Sequence, residues 1–127
     1  MKTFNLLVRL IPAIIMLQTL FFKFSGAAES VYIFNSIGLE PWGRIGTGVL
    51  ELIASILLLI DRRAIWGAFL GIGLMFGAVV THLFMIGVEV MGDGGQLFFM
   101  ALATLICCAW ILYQRRGEFS VILYSII

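Results

Sequence analysis

The sequence contains little charge. Only 12% of its 127 residues are Asp, Glu, Lys or Arg, whereas 62% are hydrophobic, and the mean hydropathy is +1.13. A soluble globular domain has about 25% charged residues. The sparse charge therefore excludes an ordinary soluble domain and is typical of a polytopic membrane protein.

Residues that build metal and redox centres are also scarce. A single histidine excludes a bis-histidine haem within one chain. The two cysteines, Cys107 and Cys108, are adjacent and do not form a C-x-x-C pair, so we interpret them as small packing residues. The sequence has no metal-binding motif and no nucleotide-binding loop. We predict no metal site, no intrinsic cofactor and no nucleic-acid partner, and an accessory membrane subunit rather than a stand-alone enzyme, with catalytic residues unassigned.

Four long apolar runs are present instead. They cover about residues 4–24, 44–60, 64–86 and 96–113 and approach the ~20 residues that cross a membrane as a helix. The first run continues to Phe24 without a cleavage pattern, so we expect a retained span rather than a signal peptide. The pattern predicts one all-α domain, an integral membrane four-helix bundle over residues 1–116, followed by a short apolar tail at 117–127.

The connector between the first two spans is itself rich in apolar side chains. They are Ala28, Val31, Ile33, Phe34, Ile37 and Leu39. A short helix at the outer interface, or folded over the mouth of the bundle, would bury them. Gly38 and Pro41 are expected to end this helix.

The placement of charge predicts the orientation. Six basic residues fall on one side of a four-span topology: Lys2, Arg9, Arg62, Arg63, Arg115 and Arg116. The other side has Lys23 and Arg44 together with four acidic residues: Glu29, Glu40, Glu89 and Asp93. Because cytoplasmic loops are enriched in Lys and Arg, we predict a multi-pass protein of the cell (inner or plasma) membrane with both termini cytoplasmic.

Glycines in the third span recur at helical spacing. Gly67 and Gly71, and then Gly73 and Gly77, are four residues apart. Small residues at this spacing allow helix backbones to approach closely in membranes. We therefore predict close helix packing at both pairs.

Four ionisable residues lie within the spans: Arg9, Lys23, Glu51 and His82. An isolated charge at this depth costs about 2.5–3.5 kcal/mol, so each needs a partner or a cavity. Arg9 is near the cytoplasmic end, and we expect its long side chain to extend to the headgroups. Lys23, Glu51 and His82 all fall in the outer half, with Glu51 ~13 Å from the outer interface.

Further polar residues share that half: Thr19, Thr47, Thr81 and Gln96. We predict a cavity that is polar near the outer side, apolar beneath and open toward the outer leaflet, suited to a quinone or a lipid. Glu51, His82 and Lys23 are the primary candidates for ligand binding and proton exchange. Two interpretations remain open. Glu51 either locks the bundle through Lys23 or His82, or exchanges protons with a reducible head group.

Four segments together resemble the DoxX family of small four-helix membrane proteins: LFFKFSG, IGLEPWG, GVLELIASILLL and GAVVTHLF. The resemblance covers roughly residues 5–116. The matching positions are Lys23, Gly26, Pro41, Glu51, Ala78 and His82.

The resemblance implies a four-helix membrane bundle. Relatives include the membrane subunit of thiosulfate:quinone oxidoreductase and a subunit of an oxidoreductase complex in oxidative-stress defence, which implies an accessory subunit with a protein partner. Other members imply the alternative, a lipid-binding or membrane-protein assembly protein without chemistry. Membrane lipids are expected partners in both cases, and a homo-oligomer is compatible with either.

Overall fold

The computed structural model describes residues 2–117 and consists of helices and connectors. The helices are α1 (Lys2–Ser25), α2 (Ala28–Ser36), α3 (Trp42–Leu59), α4 (Ala64–Thr81) and α5 (Gln96–Gln114). A 3₁₀ turn, Asp61–Arg63, joins α3 to α4, and a π-helical segment, His82–Ile86, continues α4. The all-α class and the short helix between the first two spans are confirmed. The predicted tail falls, except for Gly117, outside the described residues.

Four of the helical segments are long and apolar enough to cross a membrane. They are Thr3–Ser25, Trp42–Leu59, Asp61–Ile86 and Gln96–Gln114. Large apolar side chains such as Ile14, Phe76 and Ile106 are exposed on the outside of the bundle. An apolar outer surface suits a protein whose solvent is hydrocarbon.

The four long helices form a ring in which each has two neighbours. α1 and α4 both pack against α3 and α5. The centre of the ring is filled by fully buried side chains, among them Met16, Leu58, Ala68 and Cys108. Below, "the Asp61 end" denotes the end of the bundle that carries the Asp61–Arg63 turn, and "the α2 end" denotes the opposite end.

Close packing in α4 occurs at its first pair of glycines. A Cβ on Gly67 would lie 2.7 Å from the backbone nitrogen of Leu58, and one on Gly71 would lie 2.8 Å from the Sγ of Cys108. Gly67 thus lets α4 touch the backbone of α3, and Gly71 receives the thiol from α5. The predicted packing role is confirmed for this pair, and Cys108 is a packing residue.

The second glycine pair behaves differently. Gly73 and Gly77 are exposed, and a Cβ on either would meet nothing within 4 Å. The prediction of close packing is wrong for these two residues because no neighbouring helix within residues 2–117 covers the side of α4 that carries them, whereas Met75 and Val79 on the other side are buried.

Ion pairs tie the helices at the Asp61 end. Arg9 Nη1 donates to the carbonyl oxygen of Leu58 at 3.2 Å and lies 3.7 Å from Asp61 Oδ1. Arg115 donates to both the carbonyl oxygen and Oδ1 of Asp61, at 2.7 and 2.8 Å. Arg9 therefore binds the end of α3, where the carbonyls carry partial negative charge, and its guanidinium lies beside the exposed Asp61 at that end of the bundle.

The α2 end is organised by Arg44 and Asp93. Arg44 Nε donates to both oxygens of Glu40, and Arg44 Nη1 donates to the carbonyl oxygen of Lys23, which joins the end of α1 to the start of α3.

Asp93 accepts three backbone N–H bonds, from Val90, Gly95 and Leu97. Desolvation raises the pKa of Asp93, but these hydrogen bonds outweigh it, so the net pKa is lowered. Asp93 is thus a carboxylate cap for α5.

Candidate functional site

Glu51 lies on the buried side of α3, one helical turn from Thr47 and one from Ser55. Its side chain has no exposed surface, although it carries an ionisable group. The Ser55 hydroxyl donates to the backbone carbonyl of Glu51 at 2.7 Å. Residues four apart share a helix face, so Thr47 and Glu51 point into the same space between the helices.

Two residues of α1 bind the carboxylate. The Nζ of Lys23 lies 2.7 Å from Glu51 Oε1, and the Oγ1 of Thr19 lies 2.5 Å from Glu51 Oε2. Thr19 and Lys23 are four residues apart and reach the carboxylate from one face of α1. The Lys23 partner expected from the sequence is thus present, which places a buried ion pair between α1 and α3.

The hydrogen bonds around Thr19 accommodate both protonation states of Glu51. The hydroxyl of Thr19 has one proton but two neighbours, Glu51 Oε2 at 2.5 Å and the carbonyl oxygen of Met16 at 3.0 Å. When Glu51 is ionised, Thr19 donates to it. When Glu51 is protonated, it can donate to Thr19, which then donates to Met16. Protonation of Glu51 therefore leaves neither the carboxyl proton nor the Thr19 hydroxyl proton without a hydrogen-bond acceptor.

The other oxygen of Glu51 retains hydrogen-bonding capacity. Oε1 is buried, and its polar neighbour among residues 2–117 is the ammonium of Lys23 at 2.7 Å, which occupies one of its lone pairs. A carboxylate oxygen offers two lone pairs. Oε1 can therefore accept a further bond from a donor placed in the adjoining space.

His82 begins the π-helical segment that follows α4 and is 4% exposed. Its Nδ1 lies 3.0 Å from the carbonyl oxygen of Gly87, and its ring meets that of Phe98 edge-on at 5.6 Å. A carbonyl only accepts, so Nδ1 carries the proton and Nε2 is an acceptor in the neutral ring. The histidine bonds to Gly87 and not to Glu51, and Nε2 has no hydrogen-bond partner within the described part of the chain.

One cavity of about 330 Å³ unites these groups. Its polar lining comprises Thr19, Lys23, Ser30, Thr47, Glu51, Thr81 and His82. The rest is mainly apolar and includes Ile15, Phe22, Ile33, Phe34, Leu74 and Met75. The three primary candidates therefore line the same cavity as three of the four further polar residues predicted for this half, namely Thr19, Thr47 and Thr81.

Gln96 is the exception. It begins α5 with an exposed side chain, while the neighbouring Leu97 and Ala101 line the cavity. Each full turn of a helix contains only 3.6 residues, so a shift of one position moves a side chain by about 100°. Gln96 therefore has the membrane depth expected for a lining residue, but its side chain lies on a face of α5 that points away from the cavity.

The lining also includes Ser30, Gly73 and Gly77, which were not identified as site residues from the sequence. Ser30 is buried and reaches the cavity from α2. Gly73 and Gly77 line it from α4. The apolar pattern gave a signal for Ser30, because Ser30, Ile33, Phe34 and Ile37 follow the spacing of one helix face. For the glycines, nothing in the spacing distinguishes a packing surface from an open one.

Residues 2–117 contain no group of three or more His, Cys, Asp and Glu side chains that could hold a metal ion. The polar groups of the cavity are suited to another task. They offer a carboxyl, an ammonium, an imidazole and hydroxyls to one small polar head group, with an apolar region beside it.

The DoxX family model matches residues 4–83. The match extends from α1 to the start of the π-helical segment and thus includes Lys23, Glu51 and His82. Comparisons with curated proteins and with solved structures give no match.

Proposed function

We propose that this chain, which belongs to the DoxX family, is an accessory subunit of a membrane oxidoreductase complex and holds the head group of a quinone in the cavity at the α2 end. The observation that carries the proposal is the buried pair of Lys23 and Glu51 beside apolar walls. Such a pair in a membrane span is expensive and marks a functional site by default.

The charge of the site favours a neutral head group. Lys23 and Glu51 neutralise each other at 2.7 Å, so the cavity has no excess positive charge for a lipid phosphate. A quinone is uncharged, and its oxygens accept hydrogen bonds from Lys23. Its reduced form carries hydroxyls that can donate to Glu51 Oε1 or to His82 Nε2.

The volume of the cavity is also compatible with a quinone head group. Ligand cavities range from about 300 to 1,000 Å³, and 330 Å³ is near the lower limit. The head group of the ligand must therefore be compact, and a single quinone ring fits such a space.

Reduction of a quinone to its hydroquinone takes up two electrons and two protons. The ammonium of Lys23, which also lines the cavity, would supply one proton, and Glu51 would exchange the other. Its contact with Thr19 has a satisfied arrangement in either protonation state, so proton transfer needs little rearrangement there. A carboxyl at hydrogen-bonding distance from a reducible oxygen is a suitable general acid or base. The electrons must come from a redox partner of the complex, which makes a second protein subunit part of the proposal.

The orientation is part of the same proposal. Both termini and the Asp61–Arg63 turn lie on the cytoplasmic side, because the basic residues are concentrated there. The cavity then lies in the outer leaflet of the cell membrane.

Identification of the bound molecules tests the proposal directly. The protein is purified in mild detergent, and the lipophilic molecules and companion chains that accompany it are identified by mass spectrometry. We expect about one quinone per chain and a redox-active companion. A phospholipid or one stable partner without any redox group would instead support the lipid-binding or assembly role.

The Glu51→Gln variant tests the role of the carboxylate. A bond to a charged group contributes about 1.5–3 kcal/mol, so we expect affinity for a decyl-substituted benzoquinone in its reduced form to fall about tenfold or more. Asp61→Asn is the matched control, because Asp61 is a carboxylate at the other end of the bundle and does not line the cavity. Unchanged binding and unchanged activity of the complex in Glu51→Gln would refute the role.

A further inference from the structure

The side of the cavity between α3 and α4 is open. At Ala54 the two helices are in contact, because Gly67 of α4 packs against the Ala54 carbonyl and Ala54 is fully buried. Leu50 lies one turn further toward the α2 end on the same face of α3 and is 42% exposed. The helices therefore separate within one turn, at the level of Glu51.

Gly73 and Gly77 form the α4 edge of this opening. Both line the cavity, and both are exposed. Counted at about 100° per residue from Gly67, which faces α3, they lie on the flank opposite the buried Met75. The absence of side chains at these two positions leaves a path from the cavity to the outside of the bundle.

At the α2 end of the bundle, the helix α2 covers the cavity. Ser30 and Phe34 of α2 are buried and line the cavity, and Ile33 and Ile37 of the same connector also face it. Since α2 covers the cavity there, the gap beside Gly73 and Gly77 leads out between two membrane-spanning helices. It opens to hydrocarbon rather than to water.

Unsatisfied polar atoms indicate that this space receives a ligand. Oε1 of Glu51, a fully buried lining residue, has no polar partner among residues 2–117 besides the ammonium of Lys23. His82 also lines the cavity, and only its Nδ1 is bonded, to Gly87. Buried polar groups in proteins are normally bonded. A polar occupant next to His82 would supply the missing partner, and the gap gives the apolar part of the same molecule a place outside.

We propose that the occupant's tail leaves the cavity sideways over Gly73 and Gly77, between α3 and α4, and lies in the surrounding lipid. The ligand class is then a membrane-dissolved molecule with a compact head and a single long apolar tail, and entry occurs from the bilayer. This inference rests on the proposed quinone site and adds the route and the tail to it.

The test compares two probes on one variant. The probes are a benzoquinone with a decyl tail and the same ring without the tail, each titrated into purified full-length protein. Gly73→Leu narrows the gap. Loss of contact for two methylenes reduces affinity about tenfold, so we expect the tailed probe to bind at least about tenfold more weakly. The tailless probe does not occupy the gap and should lose much less affinity, so the ratio of the two affinities is the quantity that tests the route.

Ala103→Leu is the matched control. Ala103 is an exposed residue of α5 and does not line the cavity. The contacts of Gly71 with Cys108 and of His82 with Phe98 place it at the level of Gly77, the second edge position. The variant adds the same bulk to a different lipid-facing surface, so both probes should bind normally. Size-exclusion chromatography and thermal unfolding establish that both variants are folded, and Gly77→Leu repeats the test at the second edge position.

The outcomes separate the route from the proposed function. If the unaltered protein binds neither probe, the proposed quinone site is wrong. If it binds both and Gly73→Leu and Gly77→Leu leave the tailed probe unaffected, the site stands and the lateral route is wrong. Equal weakening of both probes would also overturn the route, because the new side chain would then be filling the head-group space.

Discussion

Glu51 and Asp61 differ in their surroundings more than in their chemistry. Both are carboxylates with basic partners, but Glu51 is fully buried against Lys23, whose side chain is 15% exposed, while Asp61 is 73% exposed. Exposed ion pairs contribute about 0–1 kcal/mol. Removing one partner of a buried pair costs about 3–5 kcal/mol, because it leaves an uncompensated charge. The two sites should therefore respond very differently to substitution.

Lys23→Met should lower the free energy of unfolding by about 3 kcal/mol, near the bottom of that range since Lys23 retains some exposure. The double variant Lys23→Met with Glu51→Leu should recover most of this loss, because no charge then remains buried. Thermal and denaturant unfolding in detergent measure both changes. Asp61→Ala serves as the control and should cost less than about 1 kcal/mol. A double variant as unstable as the single one would show that the pair is not the source of the effect.

At the scale of the helix, α4 uses the same residue type for two purposes. Gly67 and Gly71 allow contact with α3 and α5, whereas Gly73 and Gly77 leave space beside the cavity. The four-residue spacing is the same in both pairs. What differs is whether a neighbouring helix is present on that side, and this depends on how α3 diverges from α4.

Gly67→Ala should destabilise the protein by about 1–3 kcal/mol, because the added Cβ would lie 2.7 Å from a backbone nitrogen that cannot move aside alone. Gly77→Ala is the matched control and should be neutral, or more stable by up to about 1 kcal/mol from helix propensity. Unfolding temperatures of the two variants in one detergent provide the comparison. Similar destabilisation at both positions would contradict the assignment of Gly67 to helix contact and of Gly77 to open space.

For the whole molecule, the charge distribution and the position of the cavity are linked. The Asp61 end holds the cluster of Arg9, Asp61 and Arg115, and the cavity lies toward the α2 end. If the basic end is cytoplasmic, the cavity and its lateral gap are in the outer leaflet. The orientation therefore decides from which leaflet a ligand enters.

Introduced cysteines test this orientation. In intact cells, a membrane-impermeant maleimide should label Glu89→Cys in the connector before α5, and should label Arg62→Cys only after permeabilisation. Both positions are exposed. The unaltered chain, which retains the two span cysteines Cys107 and Cys108, gives the background. The reverse pattern would place the cavity in the cytoplasmic leaflet.

The sequence by itself determined the helices and the depth of the polar residues. Apolar runs of fixed length and polar breaks between them are local properties, so the helix positions, the short helix α2 and the grouping of Lys23, Glu51 and His82 in one half could be predicted. The hydrogen-bond and ion-pair partners of these side chains were only partly predictable. Lys23 was an expected partner of Glu51, but the bond of His82 to Gly87 depends on the π-helical segment and the turn after it.

Only the tertiary structure decided which faces are covered. Gln96 has the right depth but points away from the cavity, Ser30 reaches it from α2, and Arg9 binds the end of α3. The same limit applies to the glycines of α4, of which two pack and two remain open. The physical reason is that periodicity fixes the angle of a side chain around its own helix, whereas the distance to the next helix results from the packing of the entire bundle.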